Sequence, residues 1–219
     1  MADAEEIFRV LDHADCLPIF PLEGMVLLPD TLIPLHVFEP RYIQLVEDVS
    51  QSHGLICMPN LRITEGGGPV PDLHLVAGVG KIVKRMELPD KRYFVILLGV
   101  GVVDIELELE GDRLYRQVKA SVRFQENEEL PLEAQSEIRL LLQGLLKHGA
   151  SKIKQLKQIT AFLELSEFRL SELNALAGGC IREAQNRQAY LELEELSSRI
   201  ELVTNGLADA LIAVTEESD

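Results

Sequence analysis

Three polar side chains stand close together in an apolar stretch of this chain: His36, Glu39 and Arg41. An imidazole near a carboxylate can do general acid–base work, but no obvious nucleophile stands beside them. A structural reading is simpler. Glu39 immediately precedes the start of a helix, where a carboxylate can meet free N–H groups and the positive end of the helix dipole. Arg41 can pair with a loop carboxylate or carbonyls, and His36 can sit on a strand with its ring satisfied. A second pairing, Cys57 with His53, suggests a thiol nucleophile. Cys57 lies in Leu55-Ile56-Cys57-Met58, however, where a buried inert thiol is the usual outcome. The third candidate, Gly78-Val79-Gly80-Lys81, has the flavour of a phosphate loop. It lacks the upstream glycine at the required spacing, and Ile82 stands where Ser or Thr must meet magnesium. His13, His74 and His148 are scattered, no Cys-x-x-Cys pair occurs, and nothing has metal-ligand spacing. The residues therefore predict no catalytic group, no metal and no cofactor.

Composition narrows the function classes. The 219 residues are 47% hydrophobic and 26% charged, the profile of a globular protein that can bury a substantial core. The net charge of −15 is spread evenly, with 12 basic against 19 acidic side chains up to residue 125 and 9 against 17 after it. Counterion release needs clustered Lys and Arg, so nucleic acid and anionic membranes are disfavoured as partners. Lys81, Lys84 and Arg85 with Lys91 and Arg92 form the single basic cluster, read either as a solvated strand face or as a small site for an acidic partner. The acidic start has no signal-peptide pattern, and no apolar run reaches the roughly 20 residues of a membrane span. Three widely separated cysteines do not make a disulfide framework, which points to a reducing cytoplasm.

Two styles of sequence position these residues. Nine of the ten prolines precede residue 125, in a stretch rich in β-branched residues and glycine, and past Pro131 strong helix formers dominate. Residues 125–129 hold no apolar side chain and read as the linker, giving domains 1–125 and 126–219. In the first, Leu17–Phe20 reads as a short strand, with two more extended pieces through Val37. The prolines at 18, 21, 29 and 34 confine these to short, bulged or edge strands. A helix starts at Pro40, a residue suited to the first helical position, and Tyr42, Leu45, Val46 and Val49 form one apolar stripe. Further strands are expected at Gly54–Met58, Leu75–Leu88, Arg92–Val103 and Ile105–Leu109. A turn at Glu110–Arg113 then leads to a return strand on which Val118, Ala120, Val122 and Phe124 alternate. Residues 60–72, with Gly66-Gly67-Gly68, read as a loop. The second domain reads as helices over Leu132–Lys147, Lys152–Leu165 and Ser171–Ala177, the last stopped by Gly178-Gly179. A long final helix carries a heptad-like seam from Leu193 to Ala210, crossing Asn205-Gly206. That seam either buries itself in its own bundle or pairs with another chain, leaving a monomer or a weak homo-oligomer.

One series of residues is distinctive: Leu17-Pro18-Ile19-Phe20-Pro21-Leu22, then Val26-Leu27-Leu28-Pro29, then Pro34-Leu35-His36-Val37-Phe38-Glu39-Pro40-Arg41-Tyr42. It resembles the opening of the Lon protease N-terminal domain family, in which L-P-x-F-P-L precedes P-L-x-I-F-E-P-R-Y. Ala77–Ile82 and Arg92–Gly99 are similar to later strands of that family, although Lys81 and Val100–Val103 depart from its pattern. Arg187-Gln188-Ala189-Tyr190-Leu191-Glu192 resembles its Q-x-L-L-E segment. The resemblance implies an α+β fold: a small PUA-like β-barrel of six to eight short strands with one early helix, followed by an α-helical bundle with a long C-terminal helix. It implies recognition of unfolded or apolar polypeptide segments, on behalf of a separate protease or ATPase, rather than cleavage. No Walker loop or Ser–Lys dyad can be placed on these residues. The expected binding surface combines Phe20, Met25, Leu27, Leu28 and Leu32 with the Gly66, Gly67 and Gly68 loop. The family motif Pro34, His36, Phe38, Glu39, Pro40, Arg41 and Tyr42 is expected to be structural. Because PUA-like barrels also occur in RNA modification proteins, an RNA- or nucleotide-linked module is the alternative, against which the acidic balance argues.

Overall fold

The computed structural model describes residues 12–62, 72–149 and 156–216. In chain order the strands are β1 (Leu17–Pro18), β2 (Leu32–Val37), β3 (Leu55–Met58), β4 (Leu61–Arg62), β5 (Asp72–Leu73), β6 (Val76–Leu88), β7 (Arg92–Leu109) and β8 (Gln117–Arg123). The helices are α1 (Pro40–Ser50), α2 (Leu132–Gly149), α3 (Leu156–Leu165), α4 (Leu170–Cys180), α5 (Ala184–Glu192) and α6 (Leu196–Glu216). The chain divides into two compact units, Met1–Gln125 with Glu183–Glu192, and Glu126–Arg182 with Leu193–Asp219. The fold is therefore α+β, and it differs from the sequence reading in assigning the short segment around α5 to the sheet-bearing unit.

The sheet of the first unit runs β1-β8-β7-β6-β3, with β2 pairing β7, and β4 and β5 form a separate two-stranded ribbon. β7 is the spine. Its first half pairs β2 from Tyr93 to Leu98, and its second half pairs β8 from Val102 to Leu109. The strands β6 and β7 are 13 and 18 residues long, not short, because no proline interrupts the ladder within either. The expected break between Val103 and Ile105 is instead a register shift between Ile105 and Leu107 inside one strand. A closed barrel is not found among the described residues. The outer strands β1 and β3 meet only through isolated parallel bridges, Ile19 with Cys57 and Leu22 with Asn60. Pro18 and Pro21, which flank this contact, have no N–H with which to extend it into a ladder.

Two apolar clusters hold this unit together. α1 lays Tyr42, Leu45, Val46 and Val49 against Leu35, Val37, Val95 and Leu97 of the sheet. The second cluster joins Leu17 and Ile19 to Leu55, Cys57, Ala77, Val79, Val103 and Val118. Each buried Leu, Ile or Val among them contributes about 1.5–3 kcal/mol by leaving water. On β8, Val118 and Ala120 are buried but Phe124, expected to continue their row, is 67% exposed, because the strand ends at Arg123. α5 has no apolar stripe in its sequence. It buries Tyr190 and Leu191 and adds polar contacts, with Gln188 Nε2 donating to the carbonyl of Val76 at 2.9 Å and to Glu192 Oε1 at 2.8 Å. Arg123 Nη1 donates to the carbonyl of Glu192 at 3.1 Å. The family-like segment Arg187–Glu192 thus acts as a polar clamp on β6 and β8.

In the second unit α6 packs on α2 and α4, burying Val203 and Leu207 with Ile138, Leu142, Leu173 and Ala177. α6 passes through Asn205-Gly206 unbroken. A Cβ at Gly206 would lie 3.2 Å from Cys180 Sγ, so the missing side chain admits a close helix approach. α4 also runs through Gly178-Gly179 to Cys180 instead of stopping there. The Ile181 N–H still donates to the carbonyl of Ala177, and burial of Ile181 holds the last turn against the low helix propensity of glycine. The N-terminal part of the expected Lys152–Leu165 helix lies outside the described residues.

Candidate functional site

The motif residues separate into two sets because β2 is a half-buried strand. Successive side chains of a strand point to opposite faces. Leu35 and Val37 are buried and Ile33 is partly buried, whereas Leu32, Pro34 and His36 face outward. The first set belongs to the core with Tyr42, whose ring stacks on Phe20 and whose hydroxyl donates to the carbonyl of Pro21 at 3.4 Å. Burial pushes the Tyr42 hydroxyl up, against the opposing effect of the Arg41 guanidinium 4.6 Å from its ring centroid.

Glu39 occupies the N-cap position of α1 but makes no side-chain cap bond. Its carbonyl accepts from the N–H groups of Tyr42 and Ile43, while its carboxylate accepts from Arg41 Nε at 3.0 Å. The expected capping role of the carboxylate is thus replaced by an ion pair two residues away, and Pro40 at the first helical position needs no cap of its own. This pair is exposed, and His36 is not joined to it by any hydrogen bond among the described residues. Among the described residues the three polar groups are therefore not joined in one hydrogen-bonded array. Cys57 is fully buried and burial pushes its thiol up to about 12, so it carries no nucleophilic thiolate near neutral pH. His53 accepts from the Leu55 N–H through Nδ1, and burial and the neighbouring His13 ring lower its basicity. At Gly78, an added Cβ would collide with the carbonyl oxygen of Leu27, and at Gly99 with that of Leu28. Of the two glycines that suggested a phosphate loop, Gly78 lets another backbone segment cross the strand, whereas a Cβ at Gly80 would press on the Leu27 and Leu97 side chains. Among the described residues no group of three or more His, Cys, Asp or Glu side chains could hold a metal ion.

The expected apolar binding surface is largely corrected. Phe20, Leu27 and Leu28 are buried and Met25 is partly buried against the same core, leaving Leu32 exposed. Gly66, Gly67 and Gly68 lie outside the described residues. A different apolar face emerges from the strand register. Leu32 lies opposite Leu98, Pro34 opposite Ile96 and His36 opposite Phe94 across β2 and β7. On the other side of β7, Met86 lies opposite Phe94 and Lys84 opposite Ile96. Directly opposed residues in an antiparallel pair share one face. Phe38 extends this row, its ring 6.0 Å from that of His36. Leu32, Phe38 and Met86 are 61%, 59% and 47% exposed, Phe94 and Ile96 between them are half-buried, and Leu98 packs against the second core cluster. Sequence reasoning missed the β6 and β7 members because Tyr93–Leu98 is apolar throughout, so its alternation is hidden until β2 supplies the register. The basic cluster divides between the faces: Lys84 borders this patch, whereas Arg85 lies opposite Val95 and over the Tyr93 ring at 5.4 Å.

Comparison with known proteins agrees with this architecture. Residues 16–209 match the model of the ATP-dependent protease La (LON) substrate-binding domain. Lon protease 2 of Syntrophobacter fumaroxidans is 30% identical over 211 residues, covering 93% of this chain and 25% of that protein. Lon protease 2 of Sorangium cellulosum is 27% identical over 200 residues, covering 87% and 24%. The chain therefore spans about a quarter of the length of these curated relatives. Among solved structures, the N-terminal domain of the Mycobacterium avium complex Lon protease superposes with a TM-score of 0.63 at 14% identity, covering 89% of this chain and 98% of that one. The Lon N-terminal domain protein from Xanthomonas campestris gives 0.60 at 22% identity, covering 85% and 95%. With the match running through nearly the whole chain, this protein belongs to the Lon substrate-binding domain family.

Proposed function

We propose that this chain recognises polypeptides without cutting them, holding exposed apolar segments on the outer face of β2, β7 and β6. The observation that carries this reading is the continuous row Phe38, His36, Phe94 and Met86, with Ile96 and Leu32 on the same face. Exposed apolar groups set side by side differ from singly scattered ones, because a contiguous patch marks an interaction surface. Unfolded chains offer the complement: extended apolar segments that native proteins keep buried. Lys84 at the border would meet acidic residues flanking such a segment. In this reading the protein serves as an adaptor or holding module for a separate protease or ATPase in protein quality control in the cytoplasm, and contributes no hydrolysis itself.

Fluorescence anisotropy of labelled apolar peptides tests this. Binding in the micromolar range is expected, weakened about tenfold or more by Phe38→Asp, while Leu165→Asp in the helical unit leaves it unchanged. No binding by a panel of apolar peptides or reduced, denatured proteins would sink the reading.

A further inference from the structure

The second unit contains a cavity of about 470 Å3 among α2, α3, α4 and α6. Leu142 and Leu145 of α2, Phe162 of α3 and Leu207 of α6 give it apolar walls, and Gln158 and Cys180 also line it. Among its described lining residues Arg182 is the one charged side chain. Arg182 is exposed, and makes no hydrogen bond or ion pair among the described residues. By contrast Arg41, Arg113, Arg116, Arg123 and Arg169 each hold a carboxylate.

The volume falls within the range of about 300–1,000 Å3 typical of small-ligand sites. Apolar walls favour an apolar tail, and Arg182, the one charged side chain among the described lining residues, suits an anionic end group. A guanidinium presents paired N–H donors that match the two oxygens of a carboxylate. We propose that this cavity binds a medium-chain carboxylic acid, on the order of ten carbons long, with its tail among Leu142, Phe162 and Leu207 and its carboxylate accepting from Arg182. The Gln158 amide is a second donor available along the wall. The site lies wholly within the second unit and is independent of the apolar face proposed for polypeptides.

Titration calorimetry of the full chain with decanoate, below its micelle concentration, tests this. Saturable one-site binding is expected, weakening about fourfold for each methylene removed toward octanoate. Decanol, with the same tail and no charge, is expected to bind at least tenfold more weakly than decanoate. Arg182→Gln should abolish that difference and leave decanol affinity unchanged. Ala210→Phe should fill the cavity and prevent binding of both. Because that variant can disturb helix packing, the wild-type chain supplies a second measurement: decanoate should slow alkylation of Cys180 while the exposed Cys16 reacts at its original rate. Equal affinity for decanoate and decanol, or an unchanged Cys180 rate at saturating decanoate, would overturn the proposal. So would protection of Cys180 by an apolar peptide with a free C-terminus but not by decanoate.

Discussion

The ring of Phe20 lies stacked on that of Tyr42, with centroids 3.8 Å apart and planes 13° from parallel. This contact links the first and last thirds of the family-like series, the Leu17–Leu22 segment and the start of α1. It places Pro21 where its carbonyl accepts from the Tyr42 hydroxyl. The Phe20–Tyr42 stack therefore fixes the approach of α1 to the sheet, while Leu32, Pro34, His36 and Phe38 between them face outward.

Phe20→Ala should destabilise the chain by about 3–5 kcal/mol, the usual cost of emptying a buried aromatic site. Tyr42→Phe keeps the stack and loses only a long hydrogen bond, so it should cost about 0.5–1 kcal/mol. Urea denaturation monitored by far-ultraviolet circular dichroism checks both. Similar losses for the two variants would show that the hydroxyl, not the stack, holds α1.

Gly78→Ala should be severe, at about 3 kcal/mol or more, because its Cβ would meet the backbone of Leu27 rather than a side chain that can move. Gly101→Ala, two residues from Gly99 on β7, meets nothing within 4 Å. It should be neutral or stabilising by about 0.5–1 kcal/mol, since alanine has less backbone entropy to lose. Thermal melts of the two variants give the comparison directly.

These positions show how far the sequence could be read. The α1 stripe and the strands β3, β6, β7 and β8 are legible because proline, periodicity and β-branched composition act locally, whereas the β4–β5 ribbon falls at the two ends of the segment 60–72 that reads as a loop. The open sheet, the crossing of Leu27 over Gly78 and the position of α5 are not legible, since they depend on which distant segments meet. The same limit applied to the site. Leu32 is exposed as the sequence suggests, but the sequence groups Phe20, Leu27 and Leu28 with it because an apolar run does not reveal which side chains face inward. Phe38 was read as structural, and it is exposed at the end of β2. Phe94, Ile96 and Met86 join it only through the register of three strands.

Stability should fall as pH rises from about 9 toward 12. Cys57 is pushed up to about 12 from an ordinary value of 9.0, and Tyr115 to about 12 from 10.0, chiefly by burial, with the Asp48 hydrogen bond adding at Tyr115. In that window the unfolded chain releases protons that the folded chain keeps, so fewer protons are bound in the unfolded state and the slope of unfolding free energy against pH is negative. Cys57→Val should flatten the part of this limb just above pH 9. A pH series of urea midpoints reads the effect, and an unchanged slope in Cys57→Val would show that the thiol ionises within the fold.

The apolar row on β2, β7 and β6 is most directly tested by site-specific photocrosslinking. The photoreactive residue p-benzoylphenylalanine replaces Phe38 in one protein and Leu165, which is 78% exposed on α3, in another. Each is irradiated with a reduced, denatured polypeptide. Crosslinks from position 38 that are competed away by an apolar peptide, with little from position 165, are the predicted result. Equal crosslinking from both positions, or competition at neither, would contradict the assignment of this face to polypeptide recognition.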